Sequence, residues 1–222
     1  MAGSNDGHAA AAPVAAMLAA VSAAMQREKD HLSDLDGVIG DGDHGTTMAL
    51  GFRAVDAALS RRRPGGEAAA PAELLRAAAT AFLDAVGAST GPLYATGLRR
   101  AAQRLDGHAA FGAPEQVLMI EGIAAGIAEC GRARRGDKTM LDVWLPAAEA
   151  ARAALESGTP IWPPVLAVAA ERARATASLV AARGRSARLG ERSIGHADPG
   201  AVSAEIILRA MAQAVSPDPA AG

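Results

Sequence analysis

Asp36, Asp41 and Asp43 crowd three carboxylates into eight residues of the segment Leu35-Asp36-Gly37-Val38-Ile39-Gly40-Asp41-Gly42-Asp43-His44-Gly45-Thr46-Thr47-Met48. Gly37, Gly40, Gly42 and Gly45 give the backbone the freedom to fold them toward one point. Like charges that close resist joint ionisation unless a cation lies between them, and an all-oxygen donor set suits Mg²⁺ better than zinc. An EF-hand register fails. With Asp41 at position 1, position 5 is Gly45 and position 12 is Phe52, so a middle ligand and the bidentate Glu are both missing. The same residues could also form an Asp/Gly-rich turn capping the helix that starts near Thr46. Spacing favours the metal and leaves the cap open.

Gly45, Thr46 and Thr47 open a helix whose free N–H groups and positive dipole end suit an anion. A metal cluster beside such a helix start suggests phosphate. Four further segments share this character: Gly87-Ala88-Ser89-Thr90-Gly91-Pro92, Gly136-Asp137-Lys138-Thr139-Met140, Gly184-Arg185-Ser186, and Gly195-His196-Ala197-Asp198-Pro199-Gly200. Each alone is weak, because Gly-rich turns commonly precede helices. Asp137 is read as a helix cap and His196 as a capping or core histidine. Neither a Walker A sequence nor a Gly-x-Gly-x-x-Gly fingerprint occurs, so a nucleotide site must be of another kind.

These loops need elements to hold them. The chain has 222 residues, of which 58 are Ala and only six aromatic, a composition that favours helix over sheet. Periodicity and Gly/Pro punctuation predict eight helices near 9–30, 46–60, 71–86, 92–105, 114–131, 138–156, 162–183 and 199–215, with no strand. Residues 1–222 read as a single domain with frayed ends at 1–7 and 216–222, and Arg61 to Gly66 as a solvated loop. Lys plus Arg is 22 against 24 for Asp plus Glu, a net charge of −2, so no general attraction to nucleic acid or anionic lipid is expected. Cys130 is the only cysteine, which excludes an internal disulfide framework and multi-thiolate metal sites. His8 to Met25 reads as an amphipathic helix rather than a signal, no run is long and apolar enough to span a membrane, and a cytoplasmic location is expected.

Taken together, four motifs resemble the nucleotide-binding L subunit of dihydroxyacetone kinase over roughly residues 30 to 205. They are Leu35-Asp36-x-x-Ile39-Gly40-Asp41-x-Asp43-His44-Gly45; Gly91-Pro92-Leu93-Tyr94; Gly136-Asp137-Lys138-Thr139-Met140-x-Asp142-Val143-Trp144-x-Pro146; and Leu189-Gly190-Glu191-Arg192-Ser193-Ile194-Gly195-His196-x-Asp198-Pro199-Gly200. The resemblance implies an all-α barrel of eight antiparallel helices that holds ADP or ATP at one end through two Mg²⁺ ions. It makes Asp36, Asp41 and Asp43 the metal ligands and places His44, Gly45, Thr46 and Thr47 against the phosphates. Asp36, Asp41, Asp43 and His44 are then the catalytic candidates. Ser89, Thr90, Gly131, Met140, Arg185, Asp198, Pro199 and Gly200 fall on the other nucleotide-contacting positions.

Two departures stand out. Gly87-Ala88-Ser89-Thr90-Gly91 replaces a Gly-Gly-Ala-Ser-Gly turn, and Arg188 stands where the family has an aromatic residue. The resemblance implies a phosphotransferase subunit whose sugar sits on a separate K subunit. An unfused chain of this length favours ADP retained as a cofactor and recharged by a phosphoenolpyruvate-dependent phosphotransferase protein. ATP used as a turning-over substrate is the alternative. Other readings are a nucleotide-loaded module that contacts a transcription regulator, and a Mg²⁺-dependent phosphohydrolase acting alone.

Overall fold

In the computed structural model, residues 6–61, 69–87 and 89–215 are described. They form nine α-helices and, among the described residues, no strand: α1 (Asp6–Arg27), α2 (Lys29–Ile39), α3 (His44–Ser60), α4 (Pro71–Ala85), α5 (Thr90–Arg104), α6 (Ala113–Gly131), α7 (Leu141–Glu156), α8 (Trp162–Ala175) and α9 (Pro199–Val215). Eight of them close a ring. α1 packs on α3, each helix from α3 to α8 packs on its successor, and α9 returns to α1. The expected eight-helix barrel is therefore present, and α2 is the ninth helix, lying against α3 outside the ring.

Alanine and glycine make the ring tight. A β-carbon on Gly122 would meet the Ala101 backbone at 2.5 Å, and one on Gly126 would meet Thr96 O at 2.5 Å, so α5 and α6 approach closely. Such contact recovers dispersion energy that small side chains would otherwise forfeit. Larger groups fill the centre. Phe52, Phe82 and Tyr94 pack with ring centroids 5.1 to 6.0 Å apart, alongside buried Met17, Leu75, Met119 and Trp144. Each such side chain contributes roughly 1.5–3 kcal/mol by leaving water.

Two sequence expectations need correction. The first helix bends at Glu28 and continues as α2 to Ile39, carrying Asp36 on a helix rather than in a loop. Helical hydrogen bonding runs through the bend, from Glu28 N–H to Ala24 O (3.0 Å) and from Leu32 N–H to Glu28 O (2.9 Å). Burial of Leu32 and Ile39 offsets the roughly 1 kcal/mol that Gly37 costs a helix. The helix expected over 162–183 stops at Ala175. There the Thr176 hydroxyl donates to Ala173 O (2.6 Å) and accepts from Asp198 N–H (2.9 Å), so the chain turns off to meet the start of α9. At the N-terminus, α1 begins at Asp6. Residues 1–5, the 216–222 tail and all but Arg61 of the Arg61–Gly66 loop lie outside the described residues.

Candidate functional site

The starts of α3, α5, α7 and α9 and the ends of α2 and α6 converge on one cleft of about 400 Å³ at one end of the ring. Four helix N-termini facing one space give it a positive backbone field. Its walls include Asp36, Asp41, Asp43, His44, Ser89, Thr90, Gly131, Met140, Arg185, Asp198, Pro199 and Gly200. Twelve of the fifteen residues singled out from the sequence thus meet in one place. Gly45, Thr46 and Thr47 do not line it. Gly45 is buried against α2, where an added β-carbon would meet Lys29 O at 1.9 Å, so close packing of α2 on α3 requires glycine there. Thr46 is exposed and Thr47 half-buried one step along α3.

One carboxylate oxygen each from Asp36, Asp41 and Asp43 lies within 4.8 Å of the others. The cap reading is also partly correct, with a different residue. Asp43 precedes α3 without a side-chain cap, and Asp36 Oδ2 instead accepts from His44 N–H (3.2 Å). Asp36 therefore ties α2 to α3 and faces the cluster at once. Arg185 reaches across the cleft to pair with Asp41, which leaves Asp36 and Asp43 as the uncompensated negative charge. All-oxygen donors at this spacing, two exposed and Asp36 half-buried, fit Mg²⁺.

His44 is buried, and burial lowers its imidazole to about 4 despite the opposing Asp36 carboxylate and the Pro199 carbonyl. It is a neutral ring near pH 7 and brings no positive charge to an anion. Its Nε2 lies 2.9 Å from Ser203 Oγ. The Ser203 hydroxyl is also within donating distance of Gly200 O (2.9 Å), which places the imidazole, Ser203 and the first turn of α9 in one buried polar cluster.

The α7 and α9 starts are built by two buried aspartates. Asp142, in the first turn of α7, accepts from Gly136 N–H (2.5 Å) and Thr139 N–H (2.8 Å) and so pins the preceding loop, while the helix itself has no side-chain cap and Asp137 does not supply the one expected of it. Asp137 accepts from Arg134 N–H (2.9 Å) and pairs with Arg183 (3.2 Å). Asp198 Oδ2 caps α9 through Ala201 N–H (2.7 Å). His196 is exposed, against the expectation of a core histidine, and Arg188 points to solvent away from the cleft walls. Lys138, buried where it lines the cleft, lies within a motif read from the sequence but has no role assigned there, and Arg183 is likewise not singled out; for Lys138 the signal available was composition, for it is one of two lysines beside twenty arginines.

Burial pushes the Asp198 carboxyl up from 3.8 to about 7, against the Ala201 N–H bond, with Asp142 raising it, Lys138 lowering it and Asp36 raising it. Between those two values the folded chain holds a proton that the unfolded chain releases, so stability falls as pH rises from about 4 to about 7. Asp198→Asn keeps an acceptor for the α9 cap and cannot ionise. Its melting temperature relative to wild type should therefore climb between pH 5 and pH 8, by an amount equivalent to at most about 2.7 kcal/mol, about 1.36 kcal/mol for each pH unit between 5 and 7. A difference that stays flat over that range would refute the assignment.

The DAK2 domain family model matches residues 38–213, a span containing most of the cleft. The chain belongs to the DAK2 domain family. It is 35% identical to the ADP-binding subunit DhaL of the PEP-dependent dihydroxyacetone kinase 1 of Listeria innocua, over 85% of this chain and 89% of that one. To the ADP-binding subunit DhaL of the PEP-dependent dihydroxyacetone kinase of Escherichia coli K12 it is 36% identical, over 84% and 89%. Among solved structures, the dihydroxyacetone kinase from C. freundii in complex with AMP-PNP and Mg²⁺ aligns with a TM-score of 0.68 and 25% identity, over 90% of this chain and 33% of that longer one. Among the described residues of this DAK2 chain, no helix is long and apolar enough to cross a membrane.

Proposed function

We propose that this DAK2 chain is the nucleotide- and Mg²⁺-binding phosphotransferase subunit of a kinase for dihydroxyacetone or a related short ketose. Phosphoryl passes from nucleotide in the cleft to sugar held on a separate K subunit. ADP stays as a cofactor and is recharged by a phosphoenolpyruvate-dependent phosphotransferase protein. The observation that carries this reading is the convergence of three carboxylates, within 4.8 Å, at a cleft ringed by four helix N-termini. Similarity to PEP-dependent ADP-binding subunits, at 35–36% identity over most of both chains, supports the source of phosphate.

In this reading Asp36, Asp41 and Asp43 hold two Mg²⁺ ions, and the α3 start faces the phosphates through His44, with Gly45, Thr46 and Thr47 behind the cleft wall. Bound Mg²⁺ would screen the carboxylates from the phosphates and offset charge developing on the transferred group. Ser89 and Thr90 supply hydroxyls, so the loss of a glycine in that turn leaves a polar donor in place. Gly131, Met140, Pro199 and Gly200 form the closer walls; a β-carbon on Gly200 would stand 3.0 Å from Asp198 Oδ2. Arg185, paired with Asp41 here, would be free to turn its guanidinium to phosphate once that carboxylate held a metal.

A second reading, ATP as a substrate that turns over, is favoured by the complex of the C. freundii kinase with AMP-PNP, an ATP analogue. Mixing the chain with nucleotide, Mg²⁺, dihydroxyacetone and a K subunit, with and without the phosphotransferase proteins and phosphoenolpyruvate, separates the possibilities. Sugar phosphate formed continuously only in the complete mixture supports the proposal. Continuous formation on ATP alone supports the second reading. Hydrolysis without a K subunit would indicate a phosphohydrolase, and nucleotide binding with no transfer a binding module of the kind that could contact a transcription regulator.

A further inference from the structure

The connection between α8 and α9 is gathered on a single buried side chain. Lys138 is 1% exposed, and its ammonium donates to Leu179 O (3.1 Å), Ser193 O (2.7 Å) and His196 O (2.7 Å). One acceptor precedes and two follow the stretch that carries Gly184, Arg185 and Ser186 over the cleft. Other bonds close the same stem. Gly195 N–H donates to Ala177 O (2.8 Å), Ala182 N–H to Asp137 O (3.1 Å), and Ala181 N–H to Ser193 Oγ (2.9 Å).

The choice of residue is specific. The chain uses 20 arginines and only two lysines. An ammonium offers three donors around one point and matches three converging carbonyls, whereas a guanidinium presents a planar fork. Lys138 also has a φ of +59°, the left-handed region that residues with a β-carbon enter only when their surroundings hold them there. No carboxylate lies within ion-pair distance of its nitrogen among the described residues, so its charge is spent on backbone carbonyls. The cost of burying that charge is offset only where all three acceptors hold their places.

We propose that Lys138 is a positioning residue for phosphoryl transfer, closing the stem of the 179–196 connection so that Arg185 is presented over the cleft. The inference rests on the nucleotide reading of that cleft. Two measurements test it separately. In ligand-free protein, Lys138→Gln should speed amide hydrogen exchange across 179–196 by at least about tenfold while α5 and α6 keep wild-type rates. In ADP binding with Mg²⁺, Lys138→Gln and Arg185→Ala should each weaken affinity, and the double variant should be no weaker than Arg185→Ala alone.

Independent, multiplicative losses in the double variant would overturn the proposal, because a general structural defect does not vanish when Arg185 is gone. Exchange that rises throughout the barrel would overturn it as well, and so would failure of both Lys138→Gln and Lys138→Met to fold. If the wild type binds no ADP, the nucleotide reading falls, while the exchange measurement still decides whether Lys138 holds the stem.

Discussion

Asp41→Asn and Asp43→Asn should each weaken Mg²⁺ binding and, in the presence of Mg²⁺, ADP binding, both by at least about 10- to 100-fold, the size of effect already seen when groups merely supporting a metal ligand are removed. The three carboxylate oxygens lie within 4.8 Å of one another, where each like-charged pair repels by about 1 to 3 kcal/mol at effective dielectrics of 80 to 20. A polyphosphate brought to that cluster without cations adds to the repulsion. Chelation should therefore reduce wild-type ADP affinity about as much as the mutations do.

The two variants should differ in chelator. Arg185 is paired with Asp41, so Asp41→Asn frees a guanidinium for phosphate and removes a negative charge. Asp43→Asn leaves Arg185 engaged. Without Mg²⁺, Asp41→Asn should bind ADP at least as well as wild type and better than Asp43→Asn. Calorimetric titrations with and without chelator read both effects, and wild type should melt highest when both ligands are present, by roughly 2.7 kcal/mol of added stability at a hundred times the dissociation constant. ADP affinity indifferent to chelator would remove the metal bridge.

The sequence carried the ring and most of the cleft because both rest on local signals. Alanine-rich helices separated by Gly and Pro breaks announce themselves by periodicity, and Asp36, Asp41 and Asp43 by proximity along the chain. What was illegible depends on distant partners. Asp36 sits in the last turn of a helix because Leu32 and Ile39 are buried by neighbours, and the glycine that reads as a breaker is tolerated. Thr176 ends α8 by serving Asp198, 22 residues away. Gly45 reads as a phosphate-binding glycine, yet its closest constraint is the Lys29 carbonyl on α2. Lys138 lies within a recognised motif, but its acceptors stand 41 to 58 residues downstream. Period and spacing report faces of elements; they do not report which backbone carbonyl will arrive at a side chain.

ADP should survive purification of this chain and leave it more slowly than about 1 per second, and ATP alone should support at most one turnover per chain with sugar-loaded K subunit. A nucleotide used as a substrate must depart every cycle, so its release cannot lag behind a turnover that in kinases runs at about 1 to 100 per second. A retained cofactor is free of that limit. The cleft favours retention through several contacts that must break together: four helix starts, Arg185 on a stem closed by Lys138, and carboxylates bridged to phosphate by cations. Losing one contact at a time does not free a ligand held from several elements, so affinity of this kind appears mainly in the dissociation rate. The decisive measurement follows labelled ADP on the chain during steady production of sugar phosphate from phosphoenolpyruvate. Label that stays bound through many turnovers establishes the cofactor role. Label that exchanges at the turnover rate, with ATP alone sustaining rapid multiple turnovers, would overturn it and make this cleft an ordinary ATP site whose product must leave each cycle.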